Sequence, residues 1–193
     1  LIGRPAHLPG GDITMTVKGG YAYTGITSED TRSAVGRTAL SRNDLSAGVN
    51  IGIPITSRRE GFLEAVGNLS LNLSAGINDL SDFGTLKDWS AGLTWGVTEK
   101  LNLQASYLVN EKAPSLSELG NPQIVSFNVP VFDFTRGETA LVTVTGGGNP
   151  GLLKETDRDL KIGFNWQTPL KNTMLLAEYF RNRSSNVTES FPV

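Results

Sequence analysis

From Asp88 to Val109 the chain alternates apolar and small polar residues almost without a break. Trp89, Ala91, Leu93, Trp95 and Val97 alternate with Asp88, Ser90, Gly92, Thr94 and Gly96. After Thr98, Glu99 and Lys100, Leu101, Leu103, Ala105, Tyr107 and Val109 alternate with Asn102, Gln104, Ser106 and Leu108. Successive side chains of a strand point to opposite faces, so period two means β-structure. Two such runs joined by three polar residues predict a tight antiparallel hairpin. With Val97 facing Leu101, Trp95 falls opposite Leu103 and Ala91 opposite Tyr107. Both apolar sets then share one face, and the other face carries Ser, Thr, Gly, Asn and Gln. A half-buried soluble strand alternates too, so the argument rests on recurrence.

The pattern recurs along the chain. After a Pro/Gly-rich opening, Leu1 to Gly11, with no assigned element, a first strand starts at Asp12 and carries Tyr21 and Tyr23 on its apolar face. A polar segment, Thr27 to Asn43, leads to a second strand, Leu45 to Ile55. Pro54 cannot donate a ladder hydrogen bond and belongs near a strand end. A turn at Thr56 to Gly61 precedes a third strand, Phe62 to Asn78. A loop at Asp79 to Lys87 precedes the hairpin. A long connection, Asn110 to Lys154, follows it. A sixth strand holds Leu160, Ile162, Phe164 and Trp166, and after a turn at Thr168 to Asn172 a seventh runs from Thr173 to about Arg183. No helical periodicity persists. The fold class is therefore all-β, an antiparallel up-and-down meander of about seven long strands.

Three regularities point to a transmembrane barrel. The strands exceed the usual five or six residues. Connections alternate long and short, which places the long ones at one end. The large aromatics Tyr21, Tyr23, Trp89, Trp95, Tyr107, Trp166 and Tyr179 sit near strand ends on the apolar face, as lipid-interface girdles do. The chain has no apolar run of helical-span length, but barrel strands are short and only half apolar. Without Cys there is neither a disulfide framework nor a thiolate metal site. A net charge of −2 gives no reason to expect nucleic acid as a partner. Bacterial barrels close with even strand numbers from eight upward, so the expectation is an open segment of a larger barrel.

The residues from Tyr107 onward resemble a TonB-dependent outer-membrane receptor. The likeness lies in Pro114 to Leu119 (PSLSEL) after an ascending strand, Gly148 to Leu152 (GNPGL), Glu155 at the start of a descending strand, and Tyr179-Phe180-Arg181 in the next ascending one. Val129 to Pro150 looks like a loop insertion of one branch. Lys154 departs from the Pro that many members have there. Before Tyr107 the agreement is one of pattern only. The resemblance implies that residues 1–193 are part of a receptor barrel in the Gram-negative outer membrane, without plug or TonB-binding segment. It implies outer-membrane lipid, the TonB complex acting through the missing plug, and a small ligand as partners. The ligand classes are ferric siderophores, cobalamin, haem and oligosaccharides. The alternatives are a passive porin-type barrel and a soluble β-sandwich binding module, in which the Trp89/Trp95/Tyr107 face would be a dry core.

Several residues stand out as candidate sites. The long connection suits ligand contact, through Phe132, Asp133, Arg136 and Glu138, or it packs on the barrel mouth. Glu155, Asp157 and Asp159 share the lumenal face of the sixth strand with Lys161. They either hold a cation or a cationic ligand or form salt bridges with neighbouring lumenal or plug residues. Arg158 faces outward at the rim and falls close to Arg181 or Arg183. Like charges across a ladder repel unless an anion lies between them, so the three are candidates for lipopolysaccharide contact; simple snorkelling to the interface is the other reading. GGGNPG at Gly146 to Gly151 lacks the Lys-Ser/Thr of a phosphate loop. His7 is the only His. No nucleophile–base pair is visible, so the chain reads as a non-enzyme with no catalytic residue, cofactor or metal.

Overall fold

The computed structural model describes residues 1–29, 37–171 and 173–189. Its strands are β1 (Ile2–Gly3), β2 (His7–Leu8), β3 (Gly11–Asp12), β4 (Thr14–Ser28), β5 (Thr38–Thr56), β6 (Asn68–Leu80), β7 (Gly84–Gly96), β8 (Leu101–Lys112), β9 (Ile124–Asp133), β10 (Glu138–Gly146), β11 (Glu155–Gln167) and β12 (Met174–Ser185). Among the described residues one short α-helix, α1, spans Leu116–Gly120, and a 3-10 turn spans Glu64–Val66. Eight strands form one sheet in the order β1-β4-β5-β6-β7-β8-β11-β12. Every pairing in it is antiparallel. The sheet is open, with β1 and β12 at its edges. The seven long strands are the expected meander, and the two-residue β1 adds an edge where no element was expected.

The hairpin β7–β8 has the expected register. Trp95 pairs with Leu103 and Ala91 with Tyr107. Because side-chain direction has period two, this one register fixes the face of every residue in the sheet. One face carries Val17, Val49, Leu73, Ala91, Tyr107 and Leu160; the other carries Gly48, Asn50, Ser74, Ser90, Gly92 and Ser106.

Among the described residues the buried apolar side chains are Leu80, Leu86 and Leu116, with Pro114 and Pro122 at the outer mouth. Trp89 is 45% exposed and Tyr179 58%. No second layer covers the apolar face, so the dry core required by a soluble sandwich is absent. That face needs lipid, as an exposed apolar surface of this extent would otherwise aggregate.

Placed at one lipid level, as expected of a girdle, the aromatics would imply a strand tilt. One row across the sheet reads Val17, Val49, Ala75, Trp89, Val109, Arg158, Arg183. Tyr21 lies four residues above this row on β4, Trp89 within it, Tyr107 two residues below on β8, and Tyr179 four residues below on β12. A line through these four residues descends about 27 Å along the strands over about 29 Å across them. It is level only if the strands tilt by about 45°, the value for membrane barrels. Trp95 and Trp166 fall at a second level below.

Several expected boundaries were wrong. The second strand begins at Thr38 rather than Leu45, and β6 begins at Asn68 rather than Phe62. The expected loop Asp79 to Lys87 is mostly strand, with a tight turn at residues 81–83. The connection between β5 and β6, residues 57–67, is the longer of the two. Loop length therefore does not segregate cleanly between the ends. The expected polar segment 27–43 is strand at both ends, and its residues 30–36 lie outside the described ones.

The turn at 57–67 is rigid. Thr56 Oγ1 donates to the Gly67 carbonyl at 2.7 Å, Trp95 Nε1 to the Val66 carbonyl at 2.8 Å, and Arg58 Nη2 to the Val97 carbonyl. Gly67 has φ +95°, and a Cβ there would collide with the Gly96 carbonyl. Gly67→Ala should therefore lower stability by at least about 2 kcal/mol. A shift of the urea midpoint in lipid vesicles reads this, and an unchanged midpoint would refute it.

Candidate functional site at the outer mouth

The connection from β8 to β11 starts at Lys112 and ends at Glu155, which are direct partners in the sheet. It is less a loose loop than a small structure with a closed base. Ser115 begins α1 with a capping box: its Oγ accepts from the Glu118 amide, and its own amide donates to Glu118 Oε2 at 2.7 Å. These bonds hold the Glu118 carboxyl below its usual range, the backbone bond from Ser115 contributing most. The chain then returns to the helix. The Asn149 amide donates to the Glu118 carbonyl at 2.7 Å, and the Gly148 amide to the Asn121 carbonyl at 2.9 Å. Gly148 packs so closely on Gly120 and Asn121 that no Cβ fits. The two segments that carry the family likeness, PSLSEL and GNPGL, are thus pressed together in space.

This base is fixed to the mouth of the lumen. Leu116 is buried, as are Leu80 and Leu86 on the inward face of β6 and β7. Arg42 on β5 donates Nε and Nη2 to the Asp82 carboxylate at 2.7 and 2.8 Å, and Nη2 also reaches the Pro114 carbonyl at 2.9 Å. Bonding to Arg42 holds the Asp82 carboxyl below the usual carboxylate range. One guanidinium so ties β5, the 81–83 turn and the start of α1. Sequence reasoning missed Arg42, Asp82 and α1. The Ser115-x-x-Glu118 spacing is a capping-box signature and could have revealed the helix.

From this base β9 and β10 project as a hairpin, paired from Asp133–Glu138 at the tip to Ile124–Gly146. Phe132, Asp133, Arg136 and Glu138 lie together at its tip. Phe132 meets Phe134 edge-on at 5.1 Å between ring centres. Asp133 Oδ1 accepts the amides of Thr135 and Arg136, which shapes the turn, and Arg136 is 3.9 Å from Asp133. A cleft of about 930 Å³ lies beside the hairpin, lined by Val131, Val142, Val144, Asn149, Leu152 and Glu189 among others.

Glu155, Asp157 and Asp159 lie on the lumenal face of β11. Asp157 takes Lys112 Nζ at 2.6 Å and Ser184 Oγ at 2.6 Å. Asp159 accepts from Asn182 Nδ2 at 2.8 Å, and Lys161 pairs with Glu178 at 3.0 Å. The two central carboxylates are thus cross-strand ties. No hydrogen bond or ion pair among the described residues joins this wall to the hairpin tip, so the two candidate groups form separate surfaces. On the outer face, Arg158 is directly opposite Arg183, and Arg181 is opposite Leu160.

Comparison with known proteins agrees with this architecture. A search of curated proteins gives no match. Among solved structures, the siderophore receptor PirA from Pseudomonas aeruginosa is similar, with a TM-score of 0.58 and 21% identity. The match covers 89% of this chain and 28% of that one, and at this identity it speaks for the fold alone. The family model for the TonB-dependent receptor-like β-barrel matches residues 7–193. The chain belongs to the TonB-dependent receptor β-barrel family, whose members are proteins of the Gram-negative outer membrane.

Proposed function

We propose that this chain is one section of the barrel wall of an active importer, carrying a scarce ligand such as a ferric siderophore, cobalamin, haem or an oligosaccharide. The observation that carries this reading is the anchored outer structure: an exposed hairpin set on a base that is clamped over a polar lumen. In this role Phe132, Asp133, Arg136 and Glu138 meet the ligand first. Glu155, Asp157 and Asp159 line the wall it passes. The TonB complex would act through a plug held inside the completed barrel, and outer-membrane lipid surrounds it. PirA is described as a siderophore receptor, so ferric siderophores are the first ligands to test.

The test replaces residues 124–146 by a short Gly-Ser linker in the intact outer-membrane protein. Binding of the transported ligand should fall at least about tenfold, a loss of about 1.4 kcal/mol, with barrel assembly unchanged. Uptake should stop in cells lacking TonB. Uptake at the wild-type rate in those cells would instead establish the passive porin reading.

A further inference from the structure

The outer face changes character sharply at one corner. Arg158 and Arg183 are direct cross-strand partners, and Arg181 lies two residues along β12 from Arg183. All three side chains are on the lipid-facing side and all three residues are exposed. Adjacent strands lie about 4.8 Å apart and next-but-one residues about 7 Å apart, so three guanidinium groups crowd one small area. Among the described residues, Arg158 has one weak bond, Nη1 to Ser185 Oγ at 3.4 Å, and no ion pair involves Arg158, Arg181 or Arg183. Two outward acids of this rim are engaged elsewhere: Glu111 by Lys154 at 2.7 Å and by the Lys87 amide, and Asp79 by Thr85. Like charges placed directly opposite are unfavourable, and nothing described here relieves them.

Their height is informative. With strands tilted by about 45°, the three arginines stand about 5–10 Å above the ring of Trp89, Tyr107 and Tyr179. Aromatic girdles mark the headgroup boundary, so the arginines reach the level of the lipid phosphates. Directly below them the lipid face is hollowed. A shallow apolar groove of about 480 Å³ runs across β7, β8, β11 and β12, bounded by Leu93, Leu103, Ile162, Phe164 and Tyr179. Its floor is low because Ala105 and Ala177 interrupt the larger side chains. Its upper corner, at Tyr179, lies immediately beneath Arg181 on the same strand.

We propose that Arg158, Arg181 and Arg183 together with this groove form a binding site for a phosphorylated acyl lipid of the outer leaflet, the chemistry of lipopolysaccharide. The guanidinium groups take the phosphate in paired, charge-assisted hydrogen bonds, and an acyl chain lies in the groove. The groove distinguishes this from snorkelling, which needs no ligand. The site lies on the outside of the wall and is independent of what passes through the lumen.

The experiment uses the intact outer-membrane protein that carries this chain, purified in mild detergent, with phosphorylated lipid per protein counted by mass spectrometry. Replacing Arg158, Arg181 and Arg183 by Ser should lower co-purified phosphorylated lipid at least about fivefold. Ala105→Phe, which fills the groove and leaves the arginines in place, should lower it about twofold or more. Wild-type amounts in the triple variant would overturn the proposal, and so would an unchanged amount in Ala105→Phe. If the triple variant fails to assemble, the wild-type protein decides. It should bind intact lipid at least about tenfold more tightly than the same lipid after enzymatic dephosphorylation. Equal affinities would refute the site. Inorganic phosphate alone competing as well as the lipid would also refute it, because the groove would then have no part.

Discussion

Leu93→Arg will destabilise the inserted protein by about 2–4 kcal/mol, whereas Thr94→Arg, one residue later, will leave it within about 1 kcal/mol of wild type. Leu93 lies on β7 between Trp89 and Trp95, with Leu71 on one side and Ala105 on the other. It sits within the apolar band, where a guanidinium has neither water nor a partner. Thr94 pairs with Ser70 and Gln104 on the opposite, polar face, where a long charged side chain stays hydrated. Unfolding by urea in lipid vesicles measures both variants. Similar losses in the two would mean that the faces have been assigned the wrong way round.

Arg42→Ala will free the outer structure from the mouth while leaving the barrel standing. The Arg42 and Asp82 side chains are 14% and 22% exposed, so their ion pair is shielded from solvent, unlike most surface pairs. The variant also strands the Asp82 carboxylate and the Pro114 carbonyl. Loss of these charge-assisted bonds costs about 2–3 kcal/mol, divided between the 81–83 turn, held through Asp82, and the start of α1, held through the Pro114 carbonyl. Limited proteolysis within residues 113–154 should accelerate about tenfold, the share of the one bond to Pro114, with strand content unchanged. Proteolysis at the wild-type rate would mean that Leu116 alone holds the helix. The pH dependence has a definite sign. Asp82 has a lowered pKa when folded, so its contribution is full above the ordinary carboxylate value and is lost as pH falls through the lowered one. The clamp should therefore hold at neutral and mildly acidic pH and release only in stronger acid.

The sequence reveals the sheet clearly where the sheet meets lipid, and poorly elsewhere. Within the band, every second residue must be apolar, so the alternation from Asp88 to Val109 fixes register and face together. Above the band that requirement lapses. The outward residues of the β5 extension are Ala39, Ser41 and Asn43, and those of early β7 are Thr85 and Lys87. Their strands are hydrogen-bonded as regularly as the rest, yet hydropathy gives no sign of them, and both stretches read as loop. The opposite error arose at Phe62 to Val66, where apolar residues suggested strand. Leu63 at φ 49° and glycines 61 and 67 at positive φ break the chain there, and the two glycines were the available warning. At the mouth, the hairpin-tip residues and the lumenal acids could each be found by type. Their separation could not, because it depends on how 42 residues between paired strand ends fold back on themselves. Nor could Arg42, whose partners are distant in sequence.

The closed base has an evolutionary consequence. Because residues 121 and 148 are tied together beneath the hairpin, the barrel is mechanically insulated from everything between them. Doubling the enclosed length would cost only about 0.6 kcal/mol in closure entropy. Descendants could therefore exchange the whole outer arm for one of different size and chemistry without retuning a single barrel strand. New ligand preferences would then arise by replacing a cartridge, with no need to redesign the wall.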